Sequence, residues 1–234
     1  MAERAFNLAI ETSSRCGSVA VGRGDDLLAT RDLPAQRRHA LALLPTVDAL
    51  AGEHGFAPAD LGEVYVSIGP GSFTGLRVAV TTAKMLARAV GSRLVAVPTL
   101  EVVAQNAPAD CDRVAVMLSA KGGRCFTGVF DRRGEAMIGQ GAAQLLAPGQ
   151  LLDTVAGEVA IIGDHLPEFD WPGRVTLLDA ELARPRGQVV WHLGRARAAA
   201  GGFADPYQLT PMYVRLPEPE EKLRAANAER SAQG

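Results

Sequence analysis

The sequence of 234 residues has little cysteine, few aromatic residues and almost no net charge. Its three cysteines are odd in number and lack C-x-x-C spacing, which argues against a disulfide framework or a zinc knuckle and favours a reducing compartment. Aromatic residues make up 5%, so platforms for base stacking are poorly supplied. The net charge of −2 argues against a protein held on nucleic acid by a strong basic field.

Long apolar runs and a secretory signal pattern are also missing. No run approaches the roughly 18 apolar residues that a membrane-spanning helix needs. Residues 1–8 lead straight into a strand-like run without the apolar region of a signal peptide. We therefore expect a cytoplasmic protein that makes no contact with a membrane.

Hydrophobic residues (47%) and charged residues (21%) occur in ordinary globular proportions, which excludes wholesale disorder. Apolar periodicity and turn residues predict the element order β-β-β-α-β-α-β-α, which then begins again. The first set covers 6–12, 17–22, 26–33, 40–51, 63–68, 75–90, 93–97 and 100–106. The second set covers 113–118, 125–130, 137–142, 148–155, 159–162, one or two helical turns in 164–172, 175–178 and 188–200.

This duplicated order predicts the fold class. Two copies of βββαβαβα form the architecture of the actin, sugar-kinase and Hsp70 superfamily. We therefore predict an α/β protein with a two-lobed actin-like ATPase (ASKHA, RNase H-like) fold. The predicted divisions are an N-terminal lobe over 1–106, a C-terminal lobe over 107–216 and a mobile tail over 217–234. The link to the superfamily rests on fold analogy and does not establish a function.

The most specific segment runs from Gly69 to Arg77 and reads GPGSFTGLR, between a predicted strand and a predicted helix. Its glycines permit tight backbone, and the free N–H groups of the helix start form a natural anion site. The spacing Gly-x-Gly-x-x-x-Gly matches neither the P-loop nor the dinucleotide pattern. Two interpretations stay open, a tight structural turn that presents a protein-binding helix and a phosphate site. The candidates for the phosphate site are Gly69, Gly71, Ser72 and Thr74.

Several segments together resemble the bacterial TsaB (YeaZ) family. They are Ile10-Glu11-Thr12-Ser13, His39 with Leu44-Pro45, the GPGSFTGLR string, Val97-Pro98-Thr99-Leu100 and Pro211-Met212-Tyr213-Val214-Arg215. The resemblance covers residues 8–215. It implies a noncatalytic subunit that pairs with its catalytic paralogue TsaD and supports N6-threonylcarbamoylation of adenosine 37 in tRNA.

The resemblance also implies the partners and cofactors. A TsaE-like ATPase would join through the complex, tRNA would be reached only indirectly, and the chain alone would form a homodimer. We expect no cofactor for the isolated chain, with ATP or ADP possible only within the complex. The candidates for binding it there, at the heterodimer interface, are Gly69, Gly71, Ser72 and Thr74.

The sequence supports catalysis only weakly. At the two predicted phosphate turns, Glu11 is the only carboxylate, where the family more often has Asp. The second turn reads Ser119-Ala120-Lys121, where the family often has Asp-Ala-Arg. These departures weaken the alternative function, an ATP-dependent phosphotransferase that needs carboxylates to manage magnesium. We interpret Glu11 as a strand-end structural residue, and functional roles for Glu11 and Ser119 stay open.

Metal chemistry is poorly supported. TsaD-like proteins carry a His-x-x-x-His pair, whereas His39 is followed four residues later by Leu43. The other three histidines are scattered without ligand spacing. We predict no metal site, and a glycoprotease-type peptidase is the weakest alternative.

The helices predict a partner surface. On helix 75–90 an apolar stripe would pack on a sheet, yet the opposite side is also weakly polar, which usually marks a contact surface. Helix 40–51 has the same property, with Ala42, Thr46 and Ala49 on its expected outer side. The alternative is that both helices are buried between layers of one lobe. The predicted partner-binding residues are Leu43, Val47, Leu76, Val78, Thr81, Thr82 and Met85.

Overall fold

The structure is a computed structural model that describes residues 6–34, 39–120, 122–166 and 168–213. The expected tail over 217–234 lies outside these ranges.

The strands are β1 (Phe6–Glu11), β2 (Ser18–Arg23), β3 (Asp26–Asp32), β4 (Leu61–Gly69), β5 (Arg93–Pro98), β6 (Arg113–Ser119), β7 (Cys125–Arg133), β8 (Ala136–Gly139), β9 (Gln144–Leu146), β10 (Val159–Asp164) and β11 (Val175–Leu177). The helices are α1 (His39–His54), α2 (Phe73–Val90), α3 (Thr99–Ala104), α4 (Pro148–Thr154) and α5 (Gly187–Ala199). Within the described ranges, no helix is long and apolar enough to cross a membrane.

The first sheet has the strand order β3-β2-β1-β4-β5. The pairs β3-β2 and β2-β1 are antiparallel, and β1-β4 and β4-β5 are parallel. Because successive strand side chains point to opposite faces, β1 sends Leu8 and Ile10 to one face and Ala9 to the other. The helices α1 and α2 cover the leucine face, and α5 covers the alanine face.

The second sheet has the order β11-β10-β6-β7-β8, with β9 paired to β7. Strand β6 alternates in the same way, with Val114 and Val116 on the face that α3 covers and Ala115 and Met117 on the face that α4 covers. The observed topology confirms the α/β fold class with two sheets.

The two halves of the chain exchange a helix. Although α3 follows the first sheet in sequence, its residues Leu100 and Val103 pack in the core of the second sheet, and its Val102 packs on the first. Conversely, α5 follows the second sheet but packs on the first, where Trp191 Nε1 donates a hydrogen bond to Asn7 Oδ1. The predicted division at 106/107 stays a prediction, and each sheet is covered in part by a helix from the other half.

The second copy of the element order departs from the first in two places. The predicted helical turns in 164–172 are wrong, because β10 continues to Asp164 and no helix is present in the described residues up to β11. In that loop the rings of Phe169 and Trp171 contact each other at 4.9 Å, and Phe169 also lies against Gly149 of α4. An additional short strand, β9, follows β8, and the sequence did not predict it.

Candidate functional site

The glycine-rich turn between β4 and α2 rests directly on the end of β1. Ser72 N donates a hydrogen bond to Ser13 O (2.6 Å), and Thr12 Oγ1 donates one to Gly75 O (2.7 Å). Helix α2 begins at Phe73, two residues earlier than predicted, and Ser72 Oγ caps it by accepting a hydrogen bond from Gly75 N. The β1 end and the start of α2 therefore form one hydrogen-bonded unit.

The glycines of this turn are needed for close packing within the chain and, at Gly69, for a positive φ. A Cβ atom on Gly71 would lie 2.4 Å from Ser13 O, and one on Gly69 would lie 2.8 Å from Leu76 Cδ1. Gly69 also has a positive φ of 106°, which a side chain would strain. These contacts explain the glycines without a bound phosphate and favour the structural turn. Of the phosphate-site candidates, Ser72 and Thr74 are exposed, and their role stays a prediction.

Glu11 lies fully buried beneath this unit. Its Oε1 atom accepts hydrogen bonds from Ser13 N and Ser13 Oγ, each at 2.5 Å, whereas its buried Oε2 atom has no hydrogen-bond partner among the residues that the structure describes. Burial raises the pKa of the Glu11 carboxyl above its ordinary value, although the hydroxyls of Ser13 and Ser67 and the charge of His39 oppose the rise. The carboxyl is therefore poorly placed to hold a solvated magnesium ion.

His39, the first residue of α1, is held beside the β1 end. Its Nε2 atom lies 2.8 Å from Ser14 O, and its buried Nδ1 atom has no hydrogen-bond partner within the described part of the chain. Its ring fills the space beside Gly17, where a Cβ atom would lie 2.9 Å from Cε1. In the part of the chain that the structure describes, no three His, Cys, Asp or Glu side chains gather where they could hold a metal ion.

The second turn contains a carboxylate that sequence reasoning missed. Ser119 N donates a hydrogen bond of 2.6 Å to Asp164 Oδ1 at the end of β10. Glu11 is therefore not the only carboxylate at the two turns. Burial and the charge of Asp164 raise the pKa of the nearby Cys125 thiol to about 11, so this cysteine is an unreactive thiol at neutral pH. The position of Asp164 at a strand end was the available signal, but its pairing with β6 was not visible in the sequence.

Three of the predicted partner-binding residues belong to the core of this chain. Leu43 and Leu76 are each 1% exposed, and Val47 is buried beside them. They face the first sheet, so their inclusion in a contact surface is wrong. The expected outer side of α1 is also wrong at Ala42 and Thr46, which are buried.

Other side chains of these two helices are exposed. Leu41 (65% exposed) and Leu44 (54%) project from α1, and Met85 (64%) projects from α2 together with Thr81. We define the α1–α2 face as Leu41, Leu44, Pro45, Thr81 and Met85. The predicted residues Val78 and Thr82 are half-buried, and Thr81 and Met85 are accessible as expected.

Helix α2 is basic, and its first turn contacts aromatic side chains. Helix α2 contains no acidic residue and exposes Arg77 and Arg88. Arg77 stacks on Phe73 at 3.8 Å, and Phe73 contacts Tyr213 with ring centroids 5.3 Å apart. Sequence reasoning missed this aromatic cluster, because Tyr213 is distant in the chain. The cluster fixes the C-terminal end of the described chain against the first turn of α2.

The comparison with known proteins agrees with the resemblance to the TsaB (YeaZ) family. A model of the family described as TsaD, tRNA N6-adenosine threonylcarbamoyltransferase, matches residues 33–170. The tRNA threonylcarbamoyladenosine biosynthesis protein TsaB of Bacillus subtilis is 28% identical over 238 aligned positions, which cover 92% of this chain and 96% of that protein. TsaB of Escherichia coli is 25% identical over 217 positions, with coverages of 89% and 94%. The solved structure of YeaZ from Pseudomonas aeruginosa superposes with a TM-score of 0.76 at 28% identity and covers 89% of this chain and 99% of that one.

The two sheets, the repeated element order and the turns at the strand ends define a two-lobed protein of the actin-like ATPase fold. The similarity extends over nearly the whole chain rather than over one motif. The chain belongs to the TsaD family, and within it to the TsaB (YeaZ) proteins.

Proposed function

We propose that this chain is a noncatalytic subunit that docks a TsaD-like paralogue through its α1–α2 face and supports N6-threonylcarbamoylation of adenosine 37 in tRNA. The observation that carries the proposal is the exposure of Leu41, Leu44 and Met85 on two adjacent helices. Large apolar side chains grouped on a surface mark a contact site for another protein. The arginines Arg77 and Arg88 border this face, so a partner surface with acidic flanks would complement it.

Two features of the site support a noncatalytic role. The chain's own backbone fills the glycine-rich turn, since Gly71 and Gly75 contact Ser13 and Thr12. The Glu11 carboxyl is buried, and burial favours its neutral form, which is a poor magnesium ligand. We expect no cofactor on the isolated chain, with nucleotide bound only within the complex.

The other partners follow from this role. A TsaE-like ATPase would join through the complex, and tRNA would be contacted indirectly. In the absence of the paralogue, two copies would pair through the same α1–α2 face, because a two-fold contact uses one surface twice. The homodimer would then compete with the heterodimer in the cytoplasm.

The first test is light-scattering chromatography of the chain alone and mixed with TsaD from the same organism, with a parallel assay of threonylcarbamoyl transfer to tRNA. We expect a heterodimer that increases transfer. Met85→Glu and Leu44→Glu should abolish both association and stimulation. Leu177→Glu is the matched control, because Leu177 is a similarly exposed apolar residue on β11 in the second sheet. Absence of association by the unaltered chain, or tight Mg-ATP binding by it alone, would contradict the proposal.

A further inference from the structure

The last described segment of the chain, residues 207–213, runs along α2 from the C-terminal end of the helix to its first turn. Each of the three cations of α2 contacts one residue of this segment. The pairs are Arg88 with the Tyr207 ring (5.3 Å to its centroid), Lys84 Nζ with Leu209 O (3.0 Å) and Arg77 Nε with Tyr213 Oη (3.4 Å). The chain beyond Tyr213 therefore begins at the first turn of α2.

The three cations lie on one side of α2 and have no carboxylate partner. Their spacing of seven and four residues places them together on a helix with 3.6 residues per turn. Within the described ranges, none of them forms an ion pair with Asp or Glu. Their contacts with a ring, a carbonyl and a hydroxyl leave other N–H groups able to donate to a carboxylate.

We call this side, defined by Arg77, Lys84 and Arg88, the basic flank of α2. It adjoins the α1–α2 face, because residues three or four apart are neighbours on a helix surface. Thr81 is four residues after Arg77, and Met85 is three before Arg88. A segment bound along the basic flank would therefore lie beside the apolar side chains of the α1–α2 face.

The chain contains an acidic segment shortly after Tyr213. Residues 218–221 read EPEE, with three glutamates in four positions. Arg77 and Arg88 lie about 17 Å apart along the helix axis, at 1.5 Å per residue. An extended chain reaches up to about 17 Å over the five residues from Tyr213 to position 218, and about 27 Å over the eight to position 221. The glutamates can therefore reach every cation of the basic flank.

We propose that the acidic segment 218–221 binds the basic flank of α2 in the same molecule and shields the α1–α2 face until a partner displaces it. Opposite charge supplies the attraction, and attachment at Tyr213 gives the segment an effective concentration of about millimolar. Exposed ion pairs are individually weak, so a partner can displace the segment. The effect on docking rests on the proposed function, whereas the contact itself is a property of the chain alone.

The docking test is a calorimetric titration of the full chain with TsaD. The acidic-segment variant carries Glu218→Gln, Glu220→Gln and Glu221→Gln. It should bind about three- to tenfold more tightly than the unaltered chain at low salt, because more molecules are competent to bind. The difference should disappear at about 0.5 M salt, where exposed charges are screened.

A matched control removes the same charge from the second half of the chain. It carries Asp153→Asn, Glu158→Gln and Glu168→Gln, three exposed residues without an ion pair among the described residues. Its affinity for TsaD should equal that of the unaltered chain. An unchanged affinity of the acidic-segment variant overturns the shielding. A weaker affinity also overturns it and shows that the segment contacts the partner instead.

A second measurement, on the chain alone, separates this inference from the proposed function. The heteronuclear NOE, which reports motion on the ps–ns timescale, should be higher for the amides of 218, 220 and 221 than for those of 229–234. Combined Arg77→Gln and Arg88→Gln should lower it to the level of 229–234, as should the acidic-segment variant. If TsaD fails to bind but this difference is found, the docking proposal fails and the intramolecular contact stands. Equal values in the unaltered chain and both variants overturn the inference, whatever the affinity for TsaD.

Discussion

A Cβ atom on Gly75 would lie 1.9 Å from the carbonyl oxygen of Thr12. The two residues also share a hydrogen bond, from Thr12 Oγ1 to Gly75 O. The first turn of α2 is therefore in direct backbone contact with the end of β1, and the space between them admits a hydrogen atom but no carbon.

The first prediction concerns this contact. Gly75→Ala should lower the free energy of unfolding by about 3 kcal/mol, because backbone on both sides must move to admit the methyl group. Gly52→Ala is the matched control, since Gly52 is an exposed residue of α1 with nothing near its Cβ position. It should stabilise by about 0.5–1 kcal/mol through helix propensity. Equal urea-unfolding midpoints for the two variants would refute the close contact.

A second prediction separates the core side of α2 from its exposed side. Leu76→Glu should cost about 4 kcal/mol or more, because it buries a charge in the core of the first sheet. Met85→Glu should change stability by less than about 0.5 kcal/mol, because Met85 is exposed. Thermal unfolding monitored by circular dichroism checks both. A Leu76→Glu variant as stable as Met85→Glu would show that Leu76 does not face the sheet.

The third prediction is a pH dependence of stability. The pKa of Glu11 is raised in the folded state above its ordinary value of 4.5, so the folded state binds more protons than the unfolded state above that pH. Stability should therefore decrease as pH rises from about 4.5 towards the folded-state pKa. Glu11→Gln should remove this decrease, and its advantage over the unaltered chain should grow with pH.

Glu53→Gln is the control for that experiment. Arg31 lowers the pKa of the exposed Glu53 carboxyl. The contribution of Glu53 to the free energy of unfolding is therefore lost as pH falls and is unchanged on the alkaline side. Urea unfolding at several pH values between 4 and 9 measures both variants. An alkaline gain in Glu53→Gln as large as that in Glu11→Gln would point to net charge rather than to burial.

The fourth prediction tests the packing of α5 on the first sheet. Trp191→Phe should cost about 2–3 kcal/mol, because it leaves a cavity and deprives Asn7 Oδ1 of its donor. Trp171→Phe, in the loop before β11, should cost less than about 1 kcal/mol. Because the chain has two tryptophans, each variant leaves one fluorescent reporter for unfolding. Similar costs for both would contradict the docking of α5.

The order of elements was largely predictable from the sequence, because buried strands and helix stripes have strong periods. The prediction of helical turns in 164–172 was wrong because this segment is a loop, in which the apolar residues Phe169 and Trp171 pack on α4. The prediction of the outer side of α1 was wrong because Leu43 and Leu44 are adjacent. Periodicity alone does not decide which of the two faces the sheet.

The candidate site was predictable only in its local parts. The glycine-rich turn and Glu11 were identified from neighbouring residues, but their mutual contacts depend on the pairing of β1 with β4. The same limit applies to Asp164 and Tyr213, each of which meets its partner only after the chain has folded. The local sequence does not show which distant strand end lies beside a given turn.

The exchange of α3 and α5 between the two sheets has a consequence for synthesis on the ribosome. The strands of the first sheet are complete by Pro98, yet the face that contains Tyr65 is covered only in part, by Val102 of α3, until α5 has been translated. The N-terminal strands must therefore wait for about 90 further residues of nascent chain, at translation rates of roughly 5–20 residues per second. During those seconds a partly bare apolar sheet face is open to chaperones and to neighbouring nascent chains, so slow elongation before residue 187 would favour aggregation of this protein.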